Sequence, residues 1–68
     1  MNLNKGDWVE FYNGRTRRGI ILDISTIRAE LDGTILTWKS ALVLLIGDSN
    51  PIFHDVEFLK KIEVDNET

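Results

Sequence analysis

Apolar and polar residues alternate along two short runs near the start of the chain, and an Asn-Gly dipeptide lies between them. The first run is Trp8-Val9-Glu10-Phe11-Tyr12, and the second extends from Arg15 to Ile24. Alternation with a period of two is typical of a β-strand that buries one face. Asn-Gly is the strongest short-range signal for a tight turn between two such strands. The pattern therefore predicts a β-hairpin that turns at Asn13-Gly14.

A two-residue turn fixes which side chains of this hairpin share a face. It places Trp8 opposite Gly19, and directly opposite residues lie on the same side of a sheet. The core face then consists of Val9, Phe11, Ile20, Leu22 and Ile24. The other face then consists of Trp8, Glu10, Tyr12, Arg15 and Arg17. A three-residue loop would shift the parity and leave Ile20 and Leu22 on the wrong side, so we prefer the two-residue turn.

The alternation returns after a short break at Ser25-Thr26, in the run Ile27-Arg28-Ala29-Glu30-Leu31, which Asp32-Gly33 follows. A type I′ turn at this second dipeptide predicts a further hairpin. Its cross-strand pairs are Leu31 with Thr34, Glu30 with Ile35, Ala29 with Leu36, Arg28 with Thr37, and Ile27 with Trp38. The apolar side chains of both strands then coincide on the core side, and Trp38 becomes a core anchor. Two independent turns with consistent faces predict an antiparallel meander of at least four strands.

The pattern after Trp38 is less regular. Lys39-Ser40 indicates a tight or 3-10 turn, and the apolar run from Ala41 to Ile46 is short enough for a strand buried on both sides. The segment from Gly47 to Pro51 is rich in turn-forming residues and predicts a loop.

Two interpretations are open for the last segment. Val56, Phe58, Ile62 and Val64 alternate as in a strand. A helix would instead begin with an Asn50 cap and Pro51, with one apolar face formed by Ile52, Val56 and Leu59. We favour a closing strand over residues 56 to 64, because a short meander must cover its edges. Residues 65 to 68 are expected to fray.

Length and composition limit the class of protein. The 68 residues allow one domain, spanning residues 1 to 68, and with no cysteine its stability must come from an apolar core. The first five residues lack the apolar segment of a signal peptide, and no apolar run is long enough to cross a bilayer. We therefore expect a cytoplasmic protein without membrane contact.

The charge distribution bears on possible partners. The net charge is −3, with six basic and five acidic residues in positions 1–39 (+1) but two basic and six acidic residues in positions 40–68 (−4). A sequence pI near 4.9 is the opposite of the basic character expected of a protein that neutralises many phosphates. A protein partner is therefore favoured over nucleic acid.

Three stretches resemble the opening of small SH3-like barrels, among them Tudor, KOW and photosystem PsaE-type domains. They are Gly6-Asp7-Trp8-Val9-Glu10-Phe11, then Arg18-Gly19-Ile20-Ile21-Leu22-Asp23-Ile24, and Ala29-Glu30-Leu31-Asp32-Gly33. Residues 37 to 45 resemble the strand and 3-10 turn that follow in those domains. The resemblance covers residues 5 to 45. It implies an all-β SH3-like barrel of five to six antiparallel strands, and it implies binding of peptides, modified side chains, nucleic acid or a larger complex.

Side chains suited to catalysis are few. Ser49, His54 and Asp55 would supply a nucleophile, a base and an acid, but all three fall on one predicted surface loop, and a triad needs supported geometry. His54 is therefore interpreted as a partly exposed loop residue. No EF-hand or phosphate-loop spacing occurs. We expect no enzyme activity, no metal site and no cofactor.

One surface on the first hairpin is specific enough to suspect, and it comprises Trp8, Tyr12, Arg15, Arg17 and Arg18. A purely structural interpretation has Trp8 shielding Gly19 and Glu10 paired with Arg17. The functional interpretation is a binding patch, because interface hot spots are enriched in Trp, Tyr and Arg. The expected function is a non-enzymatic protein-binding module, with a KOW-like nucleic-acid contact through Arg15, Arg17 and Arg18 as the alternative.

The apolar content also suggests self-association. Ile35 and the run from Ala41 to Ile46 leave more apolar surface than a barrel of this size easily covers. A homodimer would bury the excess.

Overall fold

The computed structural model describes residues 2 to 63 and contains five strands. Their bounds are β1 Trp8–Tyr12, β2 Thr16–Leu31, β3 Thr34–Leu45, β4 Ile52–Asp55 and β5 Leu59–Lys61. A 3-10 helix at Val56–Phe58 joins β4 to β5. Residue 64 of the predicted closing strand and the predicted frayed tail, residues 65 to 68, lie outside the described residues.

All five strands are antiparallel and form one sheet in the order β4-β3-β2-β1-β5. The predicted all-β class, the antiparallel pairing and the strand number are confirmed. The first four strands form a meander, as predicted, whereas β5 returns to pair with β1. Consecutive strands β4 and β5 therefore lie at opposite edges of the sheet. Because they do not pair with each other, the sheet is open.

The second hairpin forms as the sequence predicts. Asp32 and Gly33 have φ angles of 50° and 77°, and positive φ at both central positions is the requirement of a type I′ turn. All five predicted cross-strand pairs occur, from Leu31 with Thr34 to Ile27 with Trp38.

The first hairpin has a different register from the predicted one. Its loop contains three residues, Asn13 to Arg15, so Tyr12 pairs with Thr16 and Val9 with Gly19. The predicted two-residue turn is therefore wrong. With this parity Ile21 joins the core at 1% exposure, while Ile20 and Leu22 lie on the other face. A β-bulge between Ile21 and Asp23 then shifts the parity of β2 by one residue.

Strands β2 and β3 are longer than predicted. The expected breaks at Ser25-Thr26 and Lys39-Ser40 are absent, because both segments pair continuously in the long hairpin. Unbroken alternation makes the strand from Ala41 buried on one face only, with Leu42 and Leu44 half-buried on the other. The loop before Pro51 is confirmed.

The segment after Pro51 fits neither interpretation completely. An α-helix is excluded for residues 52 to 61, and the strand character is split between β4 and β5 by the 3-10 helix. The predicted single strand beginning at residue 56 is therefore wrong in its bounds.

One face of the sheet carries the core, and we call it the core face. Its buried apolar side chains come from β1, β2, β3 and β5, and they are Val9, Ile21, Ala41, Val43, Leu45 and Leu59. Four partly buried side chains pack around them, namely Leu3, Phe11, Ile24 and Val56. The opposite side of the sheet is called the outer face. The predicted core side of the second hairpin is wrong, since its large apolar side chains lie on the outer face and are 37% to 63% exposed, namely Ile27, Leu31, Leu36 and Trp38.

The sheet is strongly curled at this core. The rings of Phe11 in β1 and His54 in β4 lie 4.5 Å apart between centroids. Two strands separate β1 from β4, so in a flat sheet they would be about 14 Å apart, at roughly 4.8 Å per strand. Strands β2 and β3 also approach each other closely there, since a Cβ at Gly19 would lie 2.5 Å from the backbone oxygen of Leu44.

Candidate functional site

The outer face of the first hairpin is built from three adjacent cross-strand pairs. Trp8 lies opposite Ile20, Glu10 opposite Arg18, and Tyr12 opposite Thr16. Residues two apart on a strand share a face, so the two aromatic side chains flank the charged pair in the middle. The expectation that Trp8 covers Gly19 is wrong, because Gly19 lies on the core face opposite Val9.

These side chains are accessible to a partner. Tyr12 is 73% exposed and Trp8 is 40% exposed. The Arg18 side chain is 61% exposed and contacts Glu10 Oε1 through its Nε at 3.2 Å. The contact orients the guanidinium, whose terminal NH groups are the part of the fork that binds a carboxylate or phosphate. We call Trp8, Glu10, Tyr12 and Arg18 the hairpin patch.

The other two predicted arginines lie elsewhere. Arg15 is exposed in the loop at the end of the hairpin. Arg17 lies opposite Phe11 on the core-face side, so its predicted outward position and its predicted pairing with Glu10 are wrong. The one-residue change in register exchanged the faces of Arg17 and Arg18.

The Arg17 side chain forms hydrogen bonds to the loop that follows β3. Its guanidinium donates to Asp48 Oδ1 at 2.8 Å and to the Ile46 backbone oxygen at 3.2 Å. The backbone NH of Ile46 also donates to the Arg18 oxygen at 2.8 Å. Arg17 therefore positions the neighbouring loop. The depression between hairpin and loop is lined by Arg15, Thr16, Arg17, Arg18, Ile46, Gly47 and Asp48.

A half-open groove at the edge of the core was missed by the sequence analysis. Its floor is apolar, and its rim carries Lys39, Lys60, Lys61 and Glu57. Lys61 Nζ lies 3.7 Å from Asp7 Oδ2. The groove combines the N-terminal segment, three strands (β2, β3 and β5) and the 3-10 helix, so no spacing along the chain predicts it.

The residues considered for a triad do not form one. His54 lies on β4, and the predicted loop position is wrong; its ring packs on Phe11 and its Nε2 is buried without a partner among residues 2 to 63. Asp55 follows it on the same strand, so the two side chains project to opposite faces. Ser49 is exposed in the preceding loop.

Within residues 2 to 63, no group of three or more His, Cys, Asp or Glu side chains could hold a metal ion. None of the helical segments in this part of the chain has the length and apolar character needed to cross a membrane.

Comparison with known proteins adds no further assignment. No family model, curated protein or solved structure matches the chain significantly.

Proposed function

We propose that this chain is a non-enzymatic, cytoplasmic binding module that contacts a protein partner through the hairpin patch. The observation that carries the proposal is the juxtaposition of exposed Trp8 and Tyr12 of β1 with exposed Arg18 of β2 on one face of the sheet. Hot spots of protein interfaces are enriched in Tyr, Trp and Arg. The absence of cysteine in so small a domain fits a reducing compartment, because small secreted domains are usually rich in disulfides.

The partner surface should be apolar with a carboxylate near its centre. Trp8 and Tyr12 offer aromatic area on either side of Arg18, and the preoriented guanidinium can donate two hydrogen bonds to a carboxylate in a bidentate contact. Glu10 sits beside this point and disfavours a second carboxylate there. This combination favours one acidic side chain within an apolar surface over a run of acidic residues.

An affinity-capture experiment tests this function. The immobilised wild type is compared with a Tyr12→Ala/Arg18→Ala variant and with an Arg28→Ala/Glu30→Ala control, whose substitutions lie on the core-face side of β2 far from the hairpin patch. A partner should be retained by wild type and control, and its affinity should fall at least about tenfold for the hairpin variant. Equal affinity for all three proteins would refute the proposal.

The alternative function is nucleic-acid binding through Arg15, Arg17 and Arg18. The three arginines are close in sequence, which favours a basic loop. However, Arg17 is paired with Asp48 and lies on the other side of β2 from Arg18, and the chain is acidic overall. Trp fluorescence titrated with short DNA and RNA at low and high salt separates the two functions. Binding that weakens steeply with salt would favour nucleic acid, whereas no binding at low salt would eliminate it.

We also propose an SH3-like barrel as the architecture. Support comes from the strand order, from the 3-10 helix that carries the chain between the two edges, and from the contact of Phe11 with His54. Nuclear Overhauser contacts between β4 and β5 backbone amides are expected if the sheet closes in solution. Their absence in a fully assigned spectrum would establish an open sheet.

A further inference from the structure

The distal part of the long hairpin extends away from the core as a two-stranded ribbon. It comprises residues 26–31 of β2 and 34–39 of β3, and we call it the ribbon. In the described chain each of these strand segments pairs only with the other. The molecule is correspondingly elongated, with principal extents of 52, 24 and 20 Å. An isolated two-stranded hairpin is marginal in water and needs packing on one face.

The two faces of the ribbon differ sharply in polarity. The pairing register places one set of side chains on the outer face, and we call it the ribbon face: Ile27, Ala29, Leu31, Thr34, Leu36 and Trp38. The opposite side carries Thr26, Arg28, Glu30, Ile35, Thr37 and Lys39. The four large apolar side chains of the ribbon face are between 37% and 63% exposed. An amphipathic strand pair with its apolar side in water indicates a surface that another molecule covers.

The apolar surface extends beyond the ribbon. Leu22 at the bulge, Phe53 on β4 and Trp8 on β1 are also exposed on the outer face. At about 200 Å² for a large apolar side chain, the exposed fractions of these three and the ribbon face amount to roughly 600 Å². That area is at the upper limit for the largest apolar patch of a monomer, about 300–600 Å². Only the ribbon-face part of this area, roughly 370 Å² for its four large apolar side chains, lies within a face-to-face contact of two ribbons. It is smaller than the roughly 800 Å² that each partner buries in a standard interface and fits a weak dimer.

The chemistry of the ribbon face favours a second copy of the same chain. None of its six residues is charged, although the molecule carries a net charge of −3. Self-contact therefore brings no like charges together at its centre. Arg28, Glu30 and Lys39 point to the opposite side, where they remain solvated.

The shape of the ribbon face is also self-complementary. From base to tip its cross-strand rows are Ile27 with Trp38, Ala29 with Leu36, and Leu31 with Thr34. A two-fold axis through the middle row would set the bulky first row of one copy against the smaller third row of the other. Because this axis sets β2 over β2 of the partner copy, Ala29 would face Ala29 and Leu36 would face Leu36 at the centre of the contact. We propose that two copies pack their ribbon faces together in this antiparallel, two-fold arrangement.

Neighbouring residues on β3 provide a matched test. Leu36 and Ile35 are similarly exposed, at 45% and 52%, but they lie on opposite faces of the ribbon. Sedimentation equilibrium is measured for wild type, Leu36→Glu and Ile35→Glu from low to high micromolar concentration. Wild type should be dimeric at the upper end. Leu36→Glu should raise the dissociation constant at least about tenfold, because it buries a carboxylate in the contact. Ile35→Glu should change the dissociation constant less than about threefold.

Several outcomes would overturn the arrangement. A wild type that stays monomeric at high micromolar concentration would refute self-association. A wild type that stays monomeric, together with loss of a protein partner from Leu36→Glu alone, would show that a different protein covers the ribbon face. Equal weakening by the two variants would indicate pairing through the ribbon edges, since edge pairing does not distinguish the faces. Circular dichroism and melting of the dilute variants confirm that both are folded, and Tyr12→Ala/Arg18→Ala should still dimerise because the proposal is independent of the hairpin patch.

Discussion

The base of the long hairpin and the ribbon belong to the same two strands but differ in what covers their apolar side chains. At the base, Ile21 and Val43 are 1% exposed, because β1, β5 and the 3-10 helix pack over the core face. On the ribbon, Ile27 and Trp38 remain more than a third exposed. Alternation of polar and apolar residues thus shows that a strand has an apolar face. It does not show whether the same chain covers that face.

The largest test of this difference compares two isoleucines of the same strand. Ile21→Ala should lower the free energy of unfolding by about 2–5 kcal/mol, because it leaves a cavity in the core. Ile27→Ala should cost about 1 kcal/mol or less in dilute protein, because the side chain is already partly hydrated. Urea denaturation of both variants measures the difference. Equal costs would mean that the ribbon is as well packed as the base.

Two glycines sharpen the contrast in a different way, and the first lies at the base. Gly19→Ala would place its Cβ 2.5 Å from the Leu44 backbone oxygen and 2.9 Å from the Leu45 Cα. Since backbone atoms must then move, we expect a loss of about 1–3 kcal/mol in the free energy of unfolding. Thermal and urea denaturation both report it. A neutral substitution would show that β2 and β3 can separate there without cost.

The second glycine lies at the ribbon tip, where space is open. A Cβ at Gly33 meets nothing within 4 Å, but the residue has a φ of 77°. Gly33→Ala should therefore cost about 1 kcal/mol from backbone strain alone. Gly33→Asn should cost less, because Asn tolerates this conformation. Identical losses for the two variants would contradict a conformational origin.

The smallest expected effect concerns a polar contact of the base. Asp48→Asn removes the ion pair with Arg17. The side chains of Arg17 and Asp48 are 25% and 30% exposed, respectively. We expect a loss of about 0.2–1 kcal/mol at low salt and a smaller loss at high salt, because partly solvated pairs are screened. Urea denaturation at two salt concentrations measures it, with Asp23→Asn as a control. A loss that does not depend on salt would point to the loop geometry instead of charge.

Local sequence predicts the register of the second hairpin correctly but not that of the first. Both hairpins nevertheless turn at the same kind of dipeptide, Asp-Gly in one and Asn-Gly in the other. At Asp32-Gly33 little packs on the strands near the turn, so local backbone preference decides the register. At Asn13-Gly14 the strands enter the core within a few residues. Burial of Val9 and Ile21 outweighs the preference of the dipeptide for a two-residue loop. The loop therefore includes Arg15 as a third residue.

The misplacement of Trp38 has a geometric cause. Trp38 and Val43 are five residues apart, an odd number, so they face opposite sides of any continuous strand. Placing both inside required an interruption at Lys39-Ser40. The strand is continuous there, because Ser25 and Thr26 pair with those residues. Once Val43 and Ala41 occupy the core, Trp38 must lie on the outer face.

The sequence predicts those residues of the candidate site whose face does not depend on the strand register. Trp8 and Tyr12 share a face in any register, because they belong to one strand at even spacing. The choice between Arg17 and Arg18 depended on the length of the loop and could not be made from local sequence. The lysine-rimmed groove depends on the return of β5 to β1, a contact between distant segments that no local pattern encodes.

The bulge at Leu22 makes β2 one residue longer than the span of β3 that it faces. Deletion of Leu22 would leave Ile21 opposite Val43 and Ile24 opposite Ala41, with every side chain on its present face. Deletion of a residue elsewhere between the bulge and the turn would exchange the two faces of the strand beyond that point. Strand β2 therefore has one position where its length can change without altering which side chains face inward, and natural variants with a single-residue gap in β2 are expected to carry it there.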